Sequence, residues 1–419
     1  MAPSTRPGLT LDRRLGLRDA VVVGLGSMLG AGVFVVFAPA TAAAGGAGLL
    51  VALGVAGFVA FCNATSSARL AARYPESGGA YVYGRERLGA FPGFLAGWAF
   101  VTGKTASCAA MALAIGAYAW PGHPRVVAVL AVVAVTAVNL RGIAKTARAT
   151  LALVAVTLAV LATVLVTGVV STPSLDLSGG VNPGGVLTAA GLLFFAFAGY
   201  ARVATLGEEV RDPARTIPRA IPLALGAVLA IYAGLAVVTL AVLGPTALAA
   251  ASAPLASVVQ VAGAPALAPV VRAGAVVAVL GVLVALLAGV GRTALAMARR
   301  RDLPAAVAAV HPTTKVPHVA ELVVAAAVIA LVLTGGLTTA IAASSCLVLV
   351  YYAIANAAAL TLPTEPGRRL PVRLLAGLGL LGCLLLALTL PATGVLSGAA
   401  ILAIGALGYA VRRLVVRAP

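Results

Sequence analysis

The chain has 419 residues, 62% of them hydrophobic and 10% charged, with a mean hydropathy of +1.09. That composition excludes an ordinary water-soluble globule and identifies an integral membrane protein. The formal charge of +18 does not mark a nucleic-acid binder, because the basic residues are dispersed over short loops and no aromatic-rich groove motif accompanies them.

A membrane helix needs about 20 mostly apolar residues. In chain order the sequence predicts about twelve, near 19–40, 45–66, 91–119, 124–140, 149–170, 186–207, 217–243, 270–298, 318–335, 337–360, 371–390 and 392–411. The stretch "MAPSTRPGLTLDRRLGLRD" is basic, but the apolar run after it is long and lacks a clear small-residue cleavage site. It is read as a tail before a retained first span, not as a signal peptide. With the N-terminus cytoplasmic, all but four of the 29 basic residues fall on the cytoplasmic side. The exceptions are Arg125 and Arg272 on the far side and Lys104 and Arg202 at membrane depth. Such asymmetry follows the positive-inside rule, and an even number of spans returns the C-terminus to the cytoplasm.

The first predicted span contains "VVVGLGSMLGAGVFVVFAPA", residues 21–40, with Gly24, Gly26, Gly30 and Gly32 crowded together beside Ser27. Each glycine costs about 1 kcal/mol relative to alanine inside a helix, and hydrocarbon offers no water to satisfy a freed backbone group. The sixth, "LLFFAFAGYARVATLGEEVRDPARTIPRAI", is interrupted at Gly199 after Phe194, Phe195 and Phe197. Gly26 and Gly30 form a GxxxG that by itself reads as close packing. Two interrupted helices about five spans apart, however, point to the site of an inverted-repeat transporter, where the unwound backbone faces a cavity. Half-helix N-termini there favour a carboxylate, and carbonyl ends favour an ammonium or cation.

Catalysis and metal chemistry find no footing. Cys62, Cys108, Cys346 and Cys383 lie inside predicted spans without metal-ligand spacing and read as packing residues, and His123, His311 and His318 lie in loops. No HExxH, GxSxG or Walker loop is present, so neither an enzyme nor a prosthetic group is expected.

"GLGSMLGAGVF" resembles the first-helix motif of the amino acid-polyamine-organocation (APC) transporter superfamily, and "YPESGGAYVYGRERLG", residues 74–89, resembles its loop between helices two and three. "FFAFAGYARVATLGEEVRDPARTIPRAI" resembles its sixth helix and following loop, and "GRTALAMARRRDLPAAVAAVHPTTKVP" its eighth helix and the loop beyond. The resemblance implies an all-α polytopic membrane protein with a LeuT-like five-plus-five inverted repeat. Its repeats would be 19–170 and 186–360, followed by two additional helices in 371–411, between cytoplasmic tails 1–18 and 412–419. It also implies a substrate site: a carboxylate on the N–H groups of Ala31 and Gly32 beside Gly30, and an ammonium on the carbonyls of Met28, Phe195 and Ala198 next to Gly199. Phe195 would stand as an aromatic gate. Ala31 replaces a serine frequent at its position, which removes one hydroxyl contact.

Coupling departs from the family pattern. Proton-coupled members carry a lysine in the fifth helix where alignment from Asn139 places Thr157, and a threonine cannot shuttle a proton. Residues 273–291 of the eighth helix contain no serine or threonine, so a conventional sodium site is not expected, although carbonyls with Thr157 leave a weak one open. Intramembrane cations are functional by default. Lys104, about 14 residues or roughly 20 Å from the cytoplasmic end of its helix, is a candidate proton carrier or contact for an anionic substrate group, against a packing role. Arg202 is divided between gating or substrate contact and a structural tie to the sixth helix. Ser107, Ser344, Ser345, Tyr351 and Asn356 are candidates for the side-chain pocket. Glu208, Glu209, Arg211, Asp212, Arg215 and Arg219 form an inner gate network or a loop anchor, as do Glu76, Arg69 and Arg73, while Glu321 is read as interfacial.

The expected function is transport of an amino acid across the cytoplasmic membrane by alternating access, with a small-molecule substrate, lipid as surroundings and proton coupling open. Neutral amino acids are favoured, since Ala201 stands at a position often acidic in relatives. A polyamine, other organocation or acidic metabolite is the alternative should Lys104 or Arg202 face the cavity. A non-transporting receptor-like or scaffold protein is the alternative of another class.

Overall fold

A computed structural model describes residues 15–74, 78–142, 147–171, 174–175, 180–204, 209–363 and 369–417. In chain order the helices are α1 (Leu17–Met28), α2 (Ala31–Val35), α3 (Phe37–Ala44), α4 (Gly46–Arg73), α5 (Ala80–Leu88), α6 (Ala90–Ala119), α7 (Pro124–Leu140) and α8 (Ala147–Val170). There follow α9 (Pro183–Phe197), α10 (Ala201–Ala204), α11 (Pro213–Ala250), α12 (Pro254–Val261), α13 (Ala268–Arg299), α14 (His318–Thr334), α15 (Leu337–Leu360), α16 (Arg369–Thr389) and α17 (Ala392–Arg417). The described residues contain no strand beyond a single bridge between Leu15 and Val210.

The protein is therefore all-α and polytopic. Ten helical stretches are long and apolar enough to cross a membrane, while α7 and α14, at positions expected to span, have 17 residues each. At 1.5 Å per residue these two measure about 25 Å, short of a typical hydrocarbon core. Proline opens α7, α9, α11 and α12, where its missing N–H costs nothing. Elsewhere it bends the chain. Pro39 cannot donate to the Val35 carbonyl, and α2 and α3 meet at an angle there. Bonds from Val36 N to Gly32 O (3.0 Å) and from Ala40 N to Val36 O (3.1 Å) carry the helix through the bend, so residues 31–44 act as one segment.

The bundle has two unlike ends. Connections α4–α5, α7–α8, α10–α11, α13–α14 and α15–α16, with the helix ends that flank them, carry most of the arginines and form a basic face; the alternate connections form a sparse one. α6 is the most enclosed span, with 89% of its apolar window buried against α5, α7, α13 and α15, whereas α17 buries 17% and leaves the rest for lipid. Some of the polar groups inside the bundle pair across helices. Asn356 Nδ2 donates to Asn63 Oδ1 (2.6 Å) and Cys383 Sγ to the same oxygen (3.2 Å), tying α4, α15 and α16. All four cysteines are buried and free of disulfides.

Candidate substrate site

Both glycine-rich spans are broken, and at the expected places. α1 ends at Met28, Leu29 and Gly30 leave helical geometry, and the next helix starts at Ala31. α9 ends at Phe197 and passes through a 3₁₀ turn, Ala198–Tyr200, before α10. The breaks lie against each other. A Cβ on Gly199 would sit 2.1 Å from the Ser27 carbonyl oxygen and 2.7 Å from Met28 N, and one on Gly32 would sit 2.5 Å from Ala196 Cα. Only a residue without a side chain permits two backbones to approach this closely.

Around the crossing stand five further helices. α8 brings Val154 against Gly26, α13 brings Val282 against Gly30, and α11, α6 and α15 bring polar groups. The Tyr232 hydroxyl of α11 lies 2.7 Å from the Met28 carbonyl and 3.0 Å from that of Ala196, one oxygen on each broken segment. Lys104 of α6 donates from Nζ to the Ala198 carbonyl at 3.2 Å, and the Tyr352 hydroxyl of α15 reaches that oxygen at 3.4 Å. Breaking the helices frees carbonyls, and these three side chains satisfy them. The sites expected to receive a substrate ammonium thus already carry donors of the protein itself at Met28 and Ala198.

Lys104 is 7% exposed, and its ammonium sits at the carbonyl end of α9, where a cation is favoured. Ala31, Gly32 and Phe195 are buried at the crossing. Ser107, one turn beyond Lys104, shares a 2.6 Å hydrogen bond with Ser344. Thr157 donates to the Leu153 carbonyl of its own helix (2.8 Å). Tyr351 and Asn356 are engaged elsewhere, Tyr351 with Ala80 N (3.0 Å) and Asn356 with Asn63. Arg202 stays outside the cluster: its side chain is 51% exposed and pairs with Glu209 at 3.6 Å. Asp212 pairs locally with Arg215 (3.7 Å). Glu208 and Glu76 lie outside the described residues, as do Arg6, Arg13, Arg14, Lys145 and Arg368.

The crossing is tied on both sides. Toward the sparse face the Tyr118 hydroxyl donates to the Phe34 carbonyl (2.8 Å) and accepts from Leu255 N (3.3 Å), joining α6, α2 and α12. Beyond it open two adjoining cavities of about 420 and 510 Å³, both touching Ser252 and Leu337; Val35 and Leu192 are where the first comes nearest the breaks. Toward the basic face, Asp302 accepts from Tyr81 (2.6 Å) and Arg85 (2.9 Å) and lies 3.6 Å from Arg412, which joins α5, the α13–α14 connection and α17. Burial first, then the bond to Asp302, pushes the Tyr81 phenol up to about 12. The strand-like pairing of Leu15 with Glu209 and Arg211 closes the same face between the entry to α1 and the loop after α10.

Sequence reasoning missed Tyr232, Tyr352, Tyr118 and Asp302. A signal existed for the first: Tyr232 is a lone polar group in "GAVLAIYAGLAVV", and a hydroxyl in hydrocarbon needs a partner. The other three gain their meaning only from residues far away in the chain.

Comparison with known proteins shows the family. The amino acid permease family profile matches residues 15–407. An uncharacterized transporter of Mycobacterium tuberculosis is 61% identical over 411 residues, covering 97% of this chain and 93% of its own. The branched-chain amino acid permease BcaP of Bacillus subtilis is 27% identical, covering 74% and 72%. The methylthioribose transporter of the same organism is 25% identical over similar shares, 74% and 72%. The profile spans nearly every described helix, both breaks included, and the chain belongs to the amino acid permease family of the APC superfamily.

Proposed function

We propose that this membrane protein moves an amino acid or a closely related small metabolite across the plasma membrane by alternating access, with the substrate held where α1–α2 and α9–α10 break. The observation that carries the reading is the contact of Gly199 with the Ser27–Met28 peptide and of Gly32 with Ala196. Two interrupted helices whose breaks converge at mid-bundle are costly unless they serve a ligand. The N–H end at Ala31 and Gly32 suits a carboxylate, and the carbonyl ends suit an amine. Residues 19–170 and 186–360 form the two inverted repeats, and the basic face, with both termini, lies in the cytoplasm by the positive-inside rule. Ties on both sides of the crossing correspond to a closed intermediate. Motion toward the sparse face opens Tyr118 from Phe34, and motion toward the basic face opens Asp302 from Arg85.

Uptake of labelled solutes into liposomes containing the purified protein tests this. Gly32→Val places a branched side chain against Ala196 and is expected to reduce uptake at least a hundredfold while the protein still inserts. Normal uptake by the variant would remove the crossing as the site.

A further inference from the structure

Lys104 is a cation whose bonding is incomplete. An ammonium has three donors. Among the described residues Lys104 meets one acceptor, the Ala198 carbonyl, and no carboxylate lies within 4 Å of it. It is 7% exposed, so water does not supply the remainder freely. Its neighbour Ser107 is committed to Ser344. A positive group left at the break with a single carbonyl as its acceptor is arranged to meet an anion and repels a second cation.

A cavity on the sparse face carries the same sign. The 510 Å³ cavity is lined by Arg125 and His123, and Arg272 hydrogen-bonds the Ala117 and Tyr118 carbonyls at its edge (3.4 and 3.2 Å). These are the two arginines that the sparse face possesses; Arg125 lines the cavity, Arg272 is bonded to the backbone of its lining residue Ala117, and no carboxylate lines either cavity. Asp176, in the connection between α8 and α9, lies outside the described residues. A mouth lined by one sign concentrates solutes of the other. Arg125 and Lys104 are independent of each other in sequence and position, and they select the same chemistry.

We infer that the substrate is a small organic anion with net negative charge, an acidic amino acid or a dicarboxylate, whose extra carboxylate pairs with the Lys104 ammonium at the broken sixth span. This rests on the transport reading above and narrows it. The alanine at position 201 argues only against a cationic substrate, so it does not separate neutral from acidic ones. The two sources of the shared chemistry differ by one amine, and the carbonyl ends of α1 and α9 would decide between them.

The test uses the full chain in liposomes with four labelled solutes at equal concentration: L-glutamate, succinate, L-leucine and L-lysine. Uptake of glutamate or succinate at least tenfold above leucine and lysine is expected, glutamate alone identifying an amino acid head group and succinate a plain dicarboxylate. Lys104→Gln should lower the preferred acid's uptake tenfold or more. Preference for leucine or lysine, or acid uptake indifferent to Lys104→Gln, overturns the inference and leaves amino acid transport standing. Uptake of none of the four overturns both. Because the variant can fail to fold, thermal unfolding of the wild type in detergent provides a second reading. A rise in midpoint with glutamate or succinate but not leucine supports the inference, and a rise with leucine or lysine alone overturns it.

Discussion

At the scale of single residues, the crossing depends on what is absent from Gly199 and Gly32 and on what Tyr232 adds. Gly199→Ala forces a methyl into the Ser27 carbonyl, backbone against backbone, which neither side can yield cheaply. It should lower the unfolding midpoint by several degrees and abolish uptake. Gly54→Ala meets nothing within 4 Å and should leave uptake intact and stability equal or about 0.5–1 kcal/mol higher. A thermal scan beside an uptake assay separates the two glycines. Tyr232→Phe deletes the hydroxyl that bridges the Met28 and Ala196 carbonyls, of which Met28 keeps its bond from Gly30 N (2.8 Å), a loss of about 1–3 kcal/mol. If the variant unfolds with the wild type, the hydroxyl is not what holds the broken segments together.

Among elements, the tie at Asp302 makes the strongest claim. Its carboxylate, 2% exposed, binds α5 through Tyr81 and Arg85 and α17 through Arg412. Asp302→Asn should destabilise by roughly 2 kcal/mol, below the 3–5 kcal/mol of a fully buried pair because both arginines reach solvent. It should also make the α13–α14 connection more sensitive to protease. The Tyr81 phenol adds a pH signature. Its folded value stands above the ordinary 10, so the unfolded chain releases the proton first as pH rises. The contribution is complete below pH 10 and is lost between about 10 and 12. Tyr81→Phe should therefore show a smaller fall in stability over that window than the wild type, as followed by unfolding midpoints at stepped pH.

For the whole molecule, the two faces decide orientation. Cysteine introduced at Leu175, on the sparse face, should react with an impermeant thiol reagent from outside intact cells, and cysteine at Arg141, on the basic face, should react only after permeabilisation. The reverse pattern would invert the topology and place the arginine-lined cavity in the cytoplasm.

The sequence by itself determined the membrane class, the family, the two sidedness signals and the places where the first and sixth spans break. These are written locally, in composition, in loop charge and in glycines placed where helices should not have them. Gly26, Gly30 and Gly199 were legible because a helix-weakening residue in hydrocarbon is conspicuous without knowledge of its neighbours. The tertiary structure alone decided which partners the freed backbone meets. Tyr232 is 36 residues from Ala196, and Lys104 is 94 from Ala198, separations over which no periodicity carries information. It also took Arg202, which position along the chain had placed at membrane depth, and turned it to Glu209. Helical phase and span bending, set by packing, choose the direction of a long side chain, and one turn of helix is enough to move a charge from the crossing to the rim.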